Sequence, residues 1–241
     1  MIKFSPANSK LKKLAKKTGR KVYSFDLLSG HTCPAAKDCL AKTVYDWDED
    51  SYSLVDGPQQ QFRCYSASQE NQYSGVYNLR LANWEGISEL KGTNKIAAAL
   101  SEAMPDDAET IRIHSSGDFF RNDYFLAWVL LAKRHPEIIF YAYTKMNVFW
   151  VRHKGLIPPN MILTASRGGK FDNLIDEHGL REVKVVYSDD EVKASGLELD
   201  DDDSHAADPD NKDKSYLLMI HANGPAGSMQ ARVHSNLRKK V

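Results

Sequence analysis

Cysteine is scarce in this chain: 241 residues hold three, Cys33, Cys39 and Cys64. An odd count without an export signal argues against a disulfide framework. Long apolar runs are missing too. The longest, FLAWVLLA at 125–132, falls far short of the roughly 20 residues a membrane span requires and reads as a core helix. The first 21 residues are basic but lack the apolar stretch of a secretory signal, so a cytoplasmic location is expected. No G-x-x-x-x-G-K-[ST], G-x-G-x-x-G or H-E-x-x-H occurs, which leaves nucleotide-loop and zincin chemistries without support. Internal repeats and net charge are absent as well.

What is present is an ordinary globular composition, 42% hydrophobic and 27% charged, in a chain long enough for one α/β domain over residues 1–241. The zero net charge hides an uneven distribution. Eight of the first 21 residues are Lys or Arg, and eleven acidic residues fall within 189–213. The basic segment 1–20 can attract phosphate or nucleic acid, although a solvated helix face around Leu11 and Leu14 is the simpler reading. The acidic segment, about 189–214, has few apolar residues and is expected to be a mobile loop.

Between these segments, strand and helix patterns alternate. Strands are expected at 21–28, 109–119, 137–145, 160–169, 182–188 and 215–225, and helices at 68–80, 84–104 (broken near Gly92), 121–136, 147–155 and 171–180. This alternation predicts mostly parallel strands with crossover helices, forming either an open sheet or a whole or partial barrel, of which a partial TIM-like barrel is the fold expected. Polar side chains gather just past each apolar strand: His31 and the thiols, then His114, Ser115, Ser116 and Asp118, then Tyr143, Thr144 and Lys145, then Ser166 and Arg167, and last His221 and Asn223. Parallel α/β folds bind ligands at the carboxyl ends of their strands, so one site containing the cysteines is expected.

The settings of the cysteines are polar, which points to metal or cluster binding over inert core thiols. Structural zinc takes four ligands, commonly as C-x2–4-C pairs, whereas Cys33 and Cys39 form C-x5-C and Cys64 follows 25 positions later. Zinc therefore needs His31 or another histidine as fourth ligand. A cysteine nucleophile would use one thiol and leave two unexplained. Thiolates also suit a cubane iron–sulfur cluster, and with three cysteines one iron would lack a protein thiolate. His31, His114, His221, water or a small molecule remain open as its ligand. SRGGK at 166–170 reads as a plain turn over an anion cradle, and the C-terminal RVHSNLRKKV as a solvated tail over a nucleic-acid contact.

Taken in order, LLSGHTCPAAKDCLA, FRCYSAS and IRIHSSGDFF…YFLAW…AKRHP…FYAYTK resemble the phage gene product 88 family over roughly residues 20–170. The layout is also similar to the radical S-adenosylmethionine superfamily, where a three-cysteine loop follows the first strand and a Gly-rich acidic turn follows the second. That similarity implies a [4Fe-4S] cluster on Cys33, Cys39 and Cys64, with Gly117 and Asp118 in the turn that grips the cofactor's amino group. The chain departs from the superfamily in two ways. It has 24 residues between its second and third thiols, and Ser-Gly-Asp in place of Gly-Gly-Glu.

The expected protein is thus a phage-type iron–sulfur protein of the host cytoplasm, its open iron facing His114, Ser116, Asp118, Tyr143 and Lys145. If it is an enzyme, it carries out redox, radical or Lewis-acid chemistry on a small ligand, with Asp118 or Lys145 positioning or moving a proton. The other reading is a non-catalytic metalloprotein, stapled by zinc or a cluster, that binds a host protein or nucleic acid.

Overall fold

Most strands lie near their expected positions, whereas the helices expected at 68–80 and 84–104 divide instead at Tyr73 and again, as expected, near Gly92. The computed structural model describes residues 2–220. A short β1 (Ser5–Pro6) leads into α1 (Ser9–Thr18), whose start is capped by the Asn8 side chain and whose apolar stripe buries Leu11 and Leu14. After β2 (Val22–Phe25) and the cysteine loop comes a hairpin, β3 (Ala41–Asp46) and β4 (Ser51–Asp56). Helices α2 (Tyr65–Gln72), α3 (Ser74–Glu89) and α4 (Thr93–Ala103) follow, the last two separated at Gly92, where φ is 87°. The remaining chain alternates: β5 (Thr110–Ile113), α5 (Asn122–Arg134), β6 (Ile139–Thr144), α6 (Asn147–His153), β7 (Met161–Ser166), α7 (Asn173–His178), β8 (Glu182–Val186), α8 (Asp189–Ser195), α9 (Ser204–Ala207) and β9 (Tyr216–Met219).

Seven strands form one sheet in the order β1-β2-β5-β6-β7-β8-β9. β1 is antiparallel to β2, and all the other neighbours are parallel. Each new strand adds to the same side of the last, so every strand from β2 onward ends along one edge. Among the described residues the sheet does not close into a barrel. Its two faces have separate cores. Phe25, Ile111, Ile113, Phe140 and Ala142 pack with α4 and α5, including the fully buried Trp128, whereas Val22, Tyr141, Ile162, Val183 and Tyr216 pack with α1 and α9. No helix among the described residues is long and apolar enough to cross a membrane.

The acidic segment differs from the expected loop. It carries α8, α9 and a 3₁₀ turn at Pro209–Asn211, and it buries Asp200 and Asp203 completely or nearly so. The reason lies in α1. Lys10 pairs with Asp203 at 2.6 Å, Lys17 with Asp202 at 3.1 Å and Lys13 with Asp201 at 3.8 Å, so the basic and acidic segments partner each other. The sequence pattern does not predict the hairpin either. Its strands alternate, but they are polar enough to read as a hydrophilic insert.

Candidate thiol site at the carboxyl edge of the sheet

The loop that leaves β2 turns sharply at Gly30, φ 72°, where a side chain would run into the Ala41 carbonyl at the start of the hairpin. Thr32 Oγ1 donates to Leu28 O at 2.7 Å, and Cys33 follows. The stretch to Cys39 is then sewn to the loop after β7: Lys170 N donates to Ala35 O at 2.8 Å and Asp38 N to Gly168 O at 3.0 Å. Gly168 and Gly169 make this approach possible, since a Cβ at Gly168 would sit 3.0 Å from Asp38 Oδ2 and one at Gly169 3.1 Å from Ala35 O. Their N–H groups donate to the Asp172 carboxylate at 2.8 and 3.0 Å, so SRGG is a turn that receives the cysteine loop.

Cys64 precedes the first turn of α2, and that helix is anchored by a buried carboxylate. Glu70 accepts Ser29 N at 3.0 Å, Ser29 Oγ at 2.7 Å, Ser116 Oγ at 2.9 Å and Arg80 Nη1 at 2.9 Å. One side chain therefore ties the first cysteine loop, the turn after β5 and the helix of the third cysteine together. That turn holds Gly117, φ 90°, where a Cβ would lie 2.6 Å from Thr32 Oγ1 and 2.8 Å from Leu27 Cβ. Asp118 beside it accepts Thr144 Oγ1 at 2.6 Å, Phe119 N at 2.7 Å and Lys145 N at 2.8 Å. The Lys145 ammonium donates to Ser166 O and Oγ, both at 2.9 Å, and to Arg167 O at 2.7 Å.

All three cysteines are free and half-buried. Burial pushes each thiol pKa up, that of Cys64 to about 11. Mutual proximity adds to this: Cys39 and Cys64 each raise Cys33, and Cys39 raises Cys64. Asp118 raises Cys33 and Cys39, while Lys145 pulls Cys39 down. Asp118 is itself held above the usual carboxylate range by burial, against the pull of its hydrogen bonds. The fold thus brings Cys33, Cys39, Cys64, Asp118 and Lys145 into one electrostatic neighbourhood. Among the described residues, no three His, Cys, Asp or Glu side chains converge tightly enough to hold a single metal ion.

The other expected site residues are placed less centrally. Ser116 and Gly117 shape the turn. His114 is buried at φ 69°, shares a 2.8 Å hydrogen bond between its Nε2 and the Tyr124 hydroxyl, and has its pKa lowered to about 3 by burial and Arg112. Its Nδ1 has no hydrogen-bond partner among the described residues. His31 packs on Trp84, with Nε2 2.9 Å from Thr43 O. Tyr143 does not join the thiols, because strand alternation turns it to the opposite face, where its hydroxyl donates to Asp203 at 2.9 Å. His221 and Asn223 lie outside the described residues, as does RVHSNLRKKV. Glu70 and Arg80 escaped the sequence reading, since SQENQ and NLRLANW offer no sign that these charges are buried.

The fold and site define an α/β protein with a mostly parallel sheet and three reduced thiols gathered at its carboxyl edge. The profile of the family described as Gene product 88 matches residues 2–238, and the chain belongs to that family. It is 30% identical over 93 residues to the Gene 88 protein of Mycobacterium phage D29, covering 35% of this chain and 38% of that protein. Identity to the Gene 88 protein of Mycobacterium phage L5 is 29% over a stretch of the same length and coverage. The chain thus aligns with well under half the length of either relative. No solved structure matches it.

Proposed function

We propose that this protein binds one [4Fe-4S] cluster through Cys33, Cys39 and Cys64 and leaves one iron without a protein thiolate. The observation that carries this reading is the meeting of three reduced thiols from two separate loops at one sheet edge. The donor set fits such a group. Three crowded thiols resist ionisation when alone, and a cationic core relieves both their desolvation and their mutual repulsion. Cubane corners also hold thiolates farther apart than a single zinc ion does, in keeping with the looser grouping here. When bound, the cluster would supply one-electron chemistry or a Lewis-acidic open site.

The chain's own residues have separable tasks. Lys145 favours the thiolate of Cys39, Glu70 positions α2 and Cys64, and Asp118 fixes the Thr144–Lys145 backbone. The consecutive strand order supports a partial TIM-like barrel around this edge. A radical S-adenosylmethionine reaction in a phage-infected host cytoplasm is the more specific form of the proposal.

Anaerobic purification should yield a brown protein with roughly four iron and four sulfide ions per chain. A colourless protein with stoichiometric zinc would sink the cluster in favour of a zinc-stapled binding protein. Cys64→Ala should lose most of the iron; unchanged iron would show that Cys64 is not a ligand. Adding S-adenosylmethionine to the reduced protein should alter the cluster's electron paramagnetic resonance signal, and an unaltered signal removes the radical form.

A further inference from the structure

We infer that the groove beside Cys64 is a binding site for a small anionic molecule carrying a phosphate or carboxylate group. The groove encloses about 410 Å³, a volume typical of small-molecule sites. Its wall includes Cys64, Ser115, Lys10, Lys13 and Arg112. Three cations therefore face a space whose own wall holds one carboxylate, Asp201.

Their fixed geometry supports recognition. Arg112 Nη1 donates to Asp203 at 2.5 Å, and the guanidinium lies over the Tyr143 ring at 5.0 Å. Its Nη2 has no hydrogen-bond partner among the described residues, so one arm of the fork is held while the other is free for an oxyanion. Asp203 also accepts Lys10 at 2.6 Å and the hydroxyls of Tyr141 and Tyr143. A single carboxylate thus offsets both Lys10 and Arg112. Asp26, the other carboxylate that acts on Arg112, is directed to the N–H groups of Ser115 and Ser116. Ser115 Oγ is enclosed without a hydrogen-bond partner among the described residues, a donor that an oxyanion would satisfy.

The groove shares Cys64 with the proposed cluster site, and its test keeps the two apart. Isothermal titration of the full chain with inorganic pyrophosphate in one arm and succinate in another should show saturable binding in at least one, which identifies the preferred group. Lys13→Glu and Ser115→Ala should each weaken it about tenfold, the loss of one charge-assisted contact. Neither touches the buried pairs of Asp203: Lys13 is largely exposed, and the Ser115 hydroxyl has no partner to lose. Thermal melts should therefore match the parent, as should iron content. No saturable binding in either arm, or binding unchanged in both variants, overturns the inference whatever the iron analysis gives.

Discussion

Glu70 is the residue on which the arrangement of the thiols turns. It is fully buried, and its carboxylate joins Ser29, Ser116 and Arg80, two of them on the turns that flank the cysteines. Removing one partner of a buried pair strands the other. Glu70→Ala should therefore cost about 3–5 kcal/mol by chemical denaturation and lower the iron retained by the folded fraction. Cys64 makes a second prediction at this scale. Its thiol titrates near 9.0 when unperturbed and about 11 in the fold. The folded state thus disfavours the thiolate, and this contribution to stability is present below pH 9 and lost as pH rises to 11. Denaturation of the metal-free chain across that window should show a fall that Cys64→Ala reduces. The cysteines were legible in the sequence because polar loops give a thiol no packing role. Glu70 was not, because burial of a charge is decided by partners far away along the chain.

At the scale of elements, α1 and the acidic segment explain each other. The lysines at positions 10, 13 and 17 recur on one helix face, and Asp203, Asp201 and Asp202 respectively meet them. The three contacts are unequal. Lys13→Ala should change stability by less than about 1 kcal/mol, as exposed pairs do, whereas Lys10→Ala should cost about 1.5–3 kcal/mol because Asp203 is buried. Denaturant titration of the two variants checks the ranking. Burial opposes the charge on Asp203, but Arg112 and Lys10 more than offset it and hold its pKa below the usual carboxylate range. The chain should therefore lose stability as the pH falls through that lowered value, and Asp203→Asn should blunt the loss.

Over the whole molecule, the consecutive strand order sends successive strand ends to one edge, and helices cover both faces. Three of the lysines at the basic start of the chain pair with the acidic segment within the fold. An Asp201→Asn/Asp202→Asn variant should consequently elute from heparin at higher salt than the parent; equal elution would mean that the lysines of α1 are not masked by these aspartates. The same packing explains why Tyr143, next to Thr144 in sequence, serves a different cluster: adjacent residues on a strand face opposite ways.

Local patterning dictates the alternation of strands and helices and the polar character of the strand ends, because period, turn residues and caps act within a few residues. It also singled out the three thiols. Only the tertiary structure decided which strand ends share a site, that Glu70 binds the two cysteine-bearing segments together, and that the acidic stretch packs on the basic helix. Those outcomes depend on contacts between residues from 41 to 193 positions apart, as Ser29–Glu70 and Lys10–Asp203 show. At such separations the deciding terms are burial and charge pairing in three dimensions, which local sequence does not encode.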